Sequence, residues 1–418
     1  MVAEIKREYK LKDSWKETCR PIIGLDGAFL KWDIKGHFLA AVGRDGDNRI
    51  VPIAWAIVEI ENDDNWEWFV KHLSSSLGLH TMKDIAIISD KQKGLVKAIH
   101  GVLPHAEHRQ CAKHIMDNWK RDNHDQELQR MFWRIARAYT TGEFIDRMEE
   151  LKKYNMQAYT SLQVTNPKSW SRAFFRIGAC CNDNLNNLSE SFNRTIRQAR
   201  KKPLLDLLED IMRQCMVRNA KRFIIADRLK TRFTKRAHAE NEKMIAGSLQ
   251  CIRYMARNNL HEIEVNDVTY FVDMNTNTCG CKKWQMVGIP CIHAASVIIE
   301  KKEKVENYVS DYYTKIRWRE TYREGIRPVK GMPLWPRLNR LLVLPPPWRR
   351  GNPGRPSNYV RRKGKNESSS SSNNKMSRAR RIMTCSNCKE EGHNKQACKN
   401  PTIASLPKRP RINQEPQR

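Results

Sequence analysis

Pro21–Ile60, PIIGLDGAFLKWDIKGHFLAAVGRDGDNRIVPIAWAIVEI, decides how this chain folds. It divides into three runs rich in Ile, Val, Phe and Trp: Ile22–Lys31, His37–Gly43 and Ile50–Ile60. Lys35-Gly36 and Arg44-Asp45-Gly46-Asp47-Asn48 separate them as turn clusters, so the pattern predicts three consecutive strands. Asp45 and Asp47 sit where a turn favours aspartate and read as turn formers rather than ligands. Asp26 is different. It falls inside the first strand, where aspartate has poor propensity and a desolvated charge is costly. A carboxylate there needs a partner, and a metal ion is the obvious one.

Outward from this stretch, Asn65–Leu79 carries Trp66, Phe69, Val70, Leu73 and Leu77 at helical spacing, an amphipathic helix packed on the sheet. Asp84–Lys91, DIAIISDK, is an apolar strand ending on Asp90, and Gly94–Leu103 is a short helix stopped by Pro104. The order β-β-β-α-β-α predicts an α/β fold, a ribonuclease-H-like mixed sheet with helices on both faces. A third acid, Glu190, lies in NNLSESFNRTI, which reads as a helix start. The 99 residues between Asp90 and Glu190 are mostly helical in pattern, a helical insertion over residues 105–185 that delivers this acid from far away in sequence. Three acids on separate elements are the makings of a two-metal phosphoryl-transfer site. Carboxylates suit magnesium or manganese, both hard cations.

The 418 residues carry a net charge of +30 and 40% hydrophobic residues, enough for two or three domains with real cores. From Trp348 to Arg418 there are 18 Lys/Arg against 4 Asp/Glu. Such a surplus favours a polyanion, most plausibly nucleic acid. No window approaches eighteen uninterrupted apolar residues, so no membrane span is expected. The opening MVAEIKREYKLKDSW lacks the apolar core of a signal peptide, which gives the expectation of an intracellular chain.

Six of the twelve cysteines fall in two compact Cys/His clusters. In a reducing compartment such clusters mean metal rather than disulfides. Glu262–Met274 reads as a hairpin turning at Asn266-Asp267, and it leads into Cys279, Cys281, Cys291 and His293. C-x-C…C-x-H supplies the tetrahedral soft set that structural zinc prefers. Cys385, Cys388, His393 and Cys398 follow the C-x2-C-x4-H-x4-C spacing of a zinc knuckle, with Gly392 before the histidine. A unit this small has no core, so zinc would supply its folding energy. Two weaker signals stay open. Cys111 and His114, three apart in HAEHRQCAKHIMDNWK beside His108, fit a zinc pair or an ordinary polar helix face. Arg355, in Gly354-Arg355-Pro356, fits an A·T minor-groove hook or a basic linker.

GLDGAFLK, ISDKQKGL, HRQCAKH and NNLSESFN, followed by the first cysteine cluster and the knuckle, stand in the order seen in plant Mutator-like (MuDR-type) transposases. The resemblance runs from Pro21 to Cys398. It implies a DDE triad of Asp26, Asp90 and Glu190 that holds divalent metal ions for DNA strand cleavage and transfer, with Cys111 and His114 as the C-x2-H pair between the second and third acids. The first cluster, with Trp284, Gly288 and Pro290, resembles a SWIM-type zinc finger, a module implied to bind DNA or protein. Residues 1–20 precede the domain, where the family normally carries a zinc-dependent DNA-binding domain. The expectation is therefore a derivative lacking that domain. Its present role is either transposase chemistry or that of a domesticated, non-catalytic nuclear regulator acting through its zinc modules.

The expected organisation is a lead-in (1–20), the ribonuclease-H-like domain (21–225), a basic helical connector (226–258) and the SWIM finger (259–302). A connector (303–347), a basic disordered linker (348–383), the knuckle (384–399) and a basic tail (400–418) follow. DNA is the expected partner, protein partners can dock through either zinc module, and oligomerisation stays open. RARR at Arg378–Arg381 and KRPR at Lys408–Arg411 are nuclear-localisation patches by composition.

Overall fold

A computed structural model describes residues 11–328 except 33, 34 and 83, together with Leu334, residues 385–388 and single positions from 390 to 400. The chain divides into two units, Met1–Trp335 and Pro336–Arg418. Arg355 and the two basic patches lie outside the described residues.

Three strands form as the apolar runs require: β1 (Arg20–Phe29), β2 (His37–Arg44) and β3 (Ile50–Val58). Short turns join them, so they pair as an antiparallel meander. Helices α1 (Leu11–Thr18), α2 (Asp63–Leu77) and α3 (Lys93–Val102) cover one face of the sheet. The α2 crossover returns the chain to the other side of β1, where β4 (Ala86–Ser89) pairs parallel to it. β5 (Glu107–Gln110) then pairs parallel to β4. The resulting order β3-β2-β1-β4-β5 is a mixed sheet of ribonuclease-H-like type.

Because strand side chains alternate, neighbouring apolar residues of β1 serve opposite cores. Ile23 and Leu25 join Trp15, Leu39, Trp66 and Leu95 on one side. Ile22 joins Phe38, Ile88, Phe192, Leu207 and Ile211 on the other, under α8 (Asn187–Thr195) and α9 (Leu204–Asp227). Between β5 and α8 run four helices, α4 (Ala112–Trp119), α5 (Gln126–Ala136), α6 (Thr141–Tyr154) and α7 (Met156–Gln163). They enclose their own core, in which Phe132 stacks on Trp170 at 5.0 Å.

Two stretches differ from the pattern reading. EHRQ lies in a segment that reads as helix, yet it forms β5. Its polarity is tolerated because the fully buried Arg109 pairs with Glu107 at 2.7 Å, donates to the Cys181 carbonyl and stacks over Phe175. The basic connector is helical only through α10 (Lys235–Ser248). Ile252–Met255 instead form β6, which pairs with β7 (Leu260–Val265). β8 (Val268–Asp273) and β9 (Thr278–Cys279) complete this second sheet. Asn266 and Asp267 both take positive φ at the β7–β8 turn, the conformation a tight hairpin needs.

Beyond the second sheet and its helices α11 (Lys283–Val287) and α12 (Ile292–Glu300), α13 (Lys315–Tyr322) packs back on the first sheet. Asp45 fastens it. Its Oδ1 accepts from the Asp47 and Arg49 backbone N–H groups, as a turn former does. Its Oδ2 accepts from the Trp318 indole at 2.8 Å and the Tyr322 hydroxyl at 2.6 Å, with Arg222 of α9 at 4.0 Å. Removing this fully buried carboxylate strands several polar groups at once. Asp45→Ala is expected to cost about 3 kcal/mol or more. Urea denaturation measures the cost, and a loss as small as that of an exposed aspartate would show that α13 is held by its apolar contacts alone.

Candidate metal centres

The β1–β4 register pairs Gly24 with Ile88. Two residues further along each strand, Asp26 comes beside Asp90 at the carboxyl ends of the parallel pair. Glu190 reaches the same end from the first turn of α8, because β1 is bare at Gly24. A Cβ on Gly24 would meet Leu188, Ser189 and Asn186 at 2.6–2.7 Å. Asn186 also donates to the Leu25 carbonyl, pinning the start of α8 to the strand.

A fourth acid shares this corner. Glu61, just past β3, lies over Gly27, where an added Cβ would come 2.5 Å from its carboxylate. The Trp66 indole donates to it at 3.1 Å. Sequence reading passes over Glu61 because it follows a strand in a polar turn, and only the fold-back of that turn carries it over Gly27. Burial, and then the charges of Asp90, Glu61 and Glu190, push Asp26 up to about 7, although Asn193 donates to its Oδ2 at 2.8 Å. Burial and Asp90 also raise Glu61. Oxygen donors of this kind are the type hard divalent cations take, although Asp26, Asp90 and Glu61 do not converge within 4.8 Å as a three-ligand set among the described residues.

Glu190 has other neighbours as well. Its Oε2 accepts from Lys113 Nζ at 3.0 Å. A carboxylate oxygen of Glu190, the Cys111 sulfur and a ring nitrogen of His114 all lie within 4.8 Å of one another. Asp26, Asp90 and Glu190 do not form such a set among the described residues. Cys111 caps α4 and His114 stands in its first turn, so both sit at a helix start rather than along one face. His108 is not with them. It pairs with the Ser89 hydroxyl at 2.8 Å, and burial with the neighbouring His100 lowers it to about 4.

In the second sheet, Cys279 ends β9, Cys281 follows in the loop, and Cys291 and His293 open α12. Their donor atoms lie within 4.8 Å of one another, with Cys279 Sγ 3.4 Å from His293 Nδ1. Tyr270 stacks on the His293 ring at 4.2 Å and fixes its plane. The neighbouring Cys279 and Cys291 thiols hold Cys281 far below the ordinary thiol range. Three sulfurs and one imidazole nitrogen at this spacing fit tetrahedral zinc.

Residues 22–118 match the MULE transposase domain. Residues 270–302 match the SWIM zinc finger. The two matches are consistent with a Mutator-like transposase. No curated protein matches the chain. The finger is built against the transposase sheet's own extension. A Cβ on Gly288, which takes positive φ, would meet Ser310 and Cys180, and Tyr313 donates to both the Val287 and Cys180 carbonyls. The second cluster, Cys385, Cys388, His393 and Cys398, also has all its donor atoms within 4.8 Å, with Cys388 Sγ 3.2 Å from His393 Nε2. Elsewhere, Arg49, Arg213, Arg218, Lys221 and Arg222 line an open basic groove along α9. No helix among the described residues is long and apolar enough to cross a membrane.

Two outcomes follow. With its pKa raised above the ordinary 3.8 to about 7, ionised Asp26 opposes folding, a cost absent below the lower value and complete above the upper one. In buffer free of magnesium and manganese, Asp26→Asn therefore stabilises the protein by about 1–2 kcal/mol at pH 8 and little at pH 4. A gain equal at both pH values would mean that the charge is already compensated. Zinc chelation is expected to strip amide-exchange protection from β7–β9 and α12 while β1–β5 keep theirs, and protection retained in α12 would show a finger that folds without metal.

Proposed function

We propose that the transposase domain carries out metal-dependent DNA strand cleavage and transfer, with Asp26, Asp90 and Glu190 as the acid triad. The observation that carries this reading is that Asp26 and Asp90 each lie just past the last parallel pair of β1 and β4, Gly24–Ile88, with α8 pressed onto Gly24 beside them. Magnesium or manganese held there would activate a water or 3′-hydroxyl and stabilise the leaving oxygen. The protein's own part is positioning. Asn193 engages one oxygen of Asp26, and the Trp66 indole holds the Glu61 carboxylate beside it. Asp90 Oδ1 accepts from the Gln92 backbone N–H, which sets its rotamer. Glu61 joins the triad as a fourth carboxylate of the corner.

The zinc modules, the basic groove on α9 and the net charge of +30 support DNA as the substrate and partner. The basic runs at residues 378–381 and 408–411 support a nuclear location. The Lys113–Glu190 ion pair favours a second reading, in which the third acid is tied down and the chain acts as a non-catalytic DNA- or protein-binding regulator. Nicking of supercoiled plasmid in Mn²⁺ separates the two. On the first reading Asp90→Asn lowers the rate by about 100-fold or more, since losing a metal ligand removes several kcal/mol of charge stabilisation. Equal, negligible nicking by both folded proteins would leave the binding reading.

A further inference from the structure

Cys111 and His114 come from one helix and Glu190 from another, the Lys113–Glu190 pair between them spanning 77 residues, yet their donor atoms meet within 4.8 Å. The meeting is built. Cys111 N donates to the Ser89 carbonyl at 2.8 Å, continuing the β4–β5 pairing to the start of α4. Ala112 N donates to the Asn184 carbonyl at 2.8 Å, and Asn186 N donates to the Cys111 sulfur at 3.3 Å. The backbone that leads into α8 is thus tied to α4 at the cysteine itself. The Cys111 sulfur is buried, while His114 and Glu190 are half-exposed on the open side.

We propose that these three side chains form a further transition-metal site, for zinc, separate from the two cysteine-rich clusters. One sulfur, one imidazole nitrogen and one carboxylate oxygen are a mixed donor set that hard magnesium disfavours and zinc accepts. Three protein ligands leave a fourth position, on the side where His114 and Glu190 face solvent, for water or a phosphate oxygen. A carboxylate has two oxygens. Glu190 can give one to zinc and leave the other, now facing Lys113, free to turn. Zinc would then set the position of the third acid and replace Lys113 as its counter-charge. That coupling to cleavage rests on the strand-cleavage reading, whereas the site itself does not.

Zinc content of the purified full-length protein tests the site after gel filtration in magnesium-containing buffer. Wild type is expected to retain one equivalent more than Cys111→Ser, and Cys281→Ser to lose a different equivalent independently. Cobalt loading gives a second readout, because thiolate–cobalt absorbance should fall in Cys111→Ser even with both other clusters filled. Lys113→Met keeps all three ligands and removes the competing cation. It should bind zinc at least about fivefold tighter in competition with a chromophoric chelator. Zinc content and cobalt absorbance unchanged by Cys111→Ser in a folded protein, or no tightening in Lys113→Met, would overturn the site. Failure of the cleavage reading looks different: nicking indifferent to Asp90→Asn, with the zinc count intact.

Discussion

A carboxylate in the middle of the central strand sets the terms for everything around it. Asp26 pays for its place in desolvation and in repulsion from Asp90 and Glu61, and Asn193 offsets only part of that cost. Two glycines follow from it. Gly24 lets α8 touch the strand, and Gly27 leaves room for the Glu61 carboxylate. A Cβ at either position would push an acid away from the corner, so the strand gives up side-chain packing in order to gather charge. A fold selected for stability alone has no reason to make that exchange.

The finger depends on the same sheet by a longer route. The chain leaves along α9, builds α10 and the second sheet, and returns through α13 to the β2–β3 turn. Asp45 receives it there with two backbone and two side-chain donors. A buried aspartate with this many donors is worth keeping only as a set, since removing any single partner leaves a desolvated group behind. The zinc finger is consequently attached at both ends. Thr234 donates to the Gly46 carbonyl at the outgoing end, and Trp318 and Tyr322 grip the adjacent Asp45 at the returning end.

The local parts of this architecture were legible in the sequence. Alternating apolar runs and turn clusters gave the meander, and helical spacing gave α2. The spacing of Cys279, Cys281, Cys291 and His293 marked donor atoms that do converge. What escaped was non-local. β5 is polar because its partners Cys181 and Phe175 arrive about 70 residues later to satisfy Arg109. β6 has all four residues exposed, so no burial pattern betrays it, and backbone pairing to β7 alone makes it a strand. Asp45 reads as a turn residue and is one, but its second oxygen is committed to residues 273 and 277 positions away. Glu61 gave no signal at all, since only the turn after β3 folds it back over Gly27.

Glu190 is where the hard and soft chemistries of this protein meet. Asp26, Asp90 and Glu61 present oxygen alone, the donor type that hard ions such as magnesium would take on the strand-cleavage reading. Cys111 and His114 present sulfur and nitrogen, the donors that favour zinc over magnesium in the proposed site. Glu190 lies within 4.8 Å of the soft pair, and Lys113 stands in as its counter-charge. A lysine can be displaced by a cation of higher charge density, whereas the Cys111 sulfur is fixed by the backbone of Asn186 and cannot follow Glu190 if it moves. In the proposed zinc site the soft pair would therefore be the anchor and the acid the adjustable member. On the strand-cleavage reading, the third ligand of the catalytic corner would be placed less by α8 itself than by what occupies the neighbouring site.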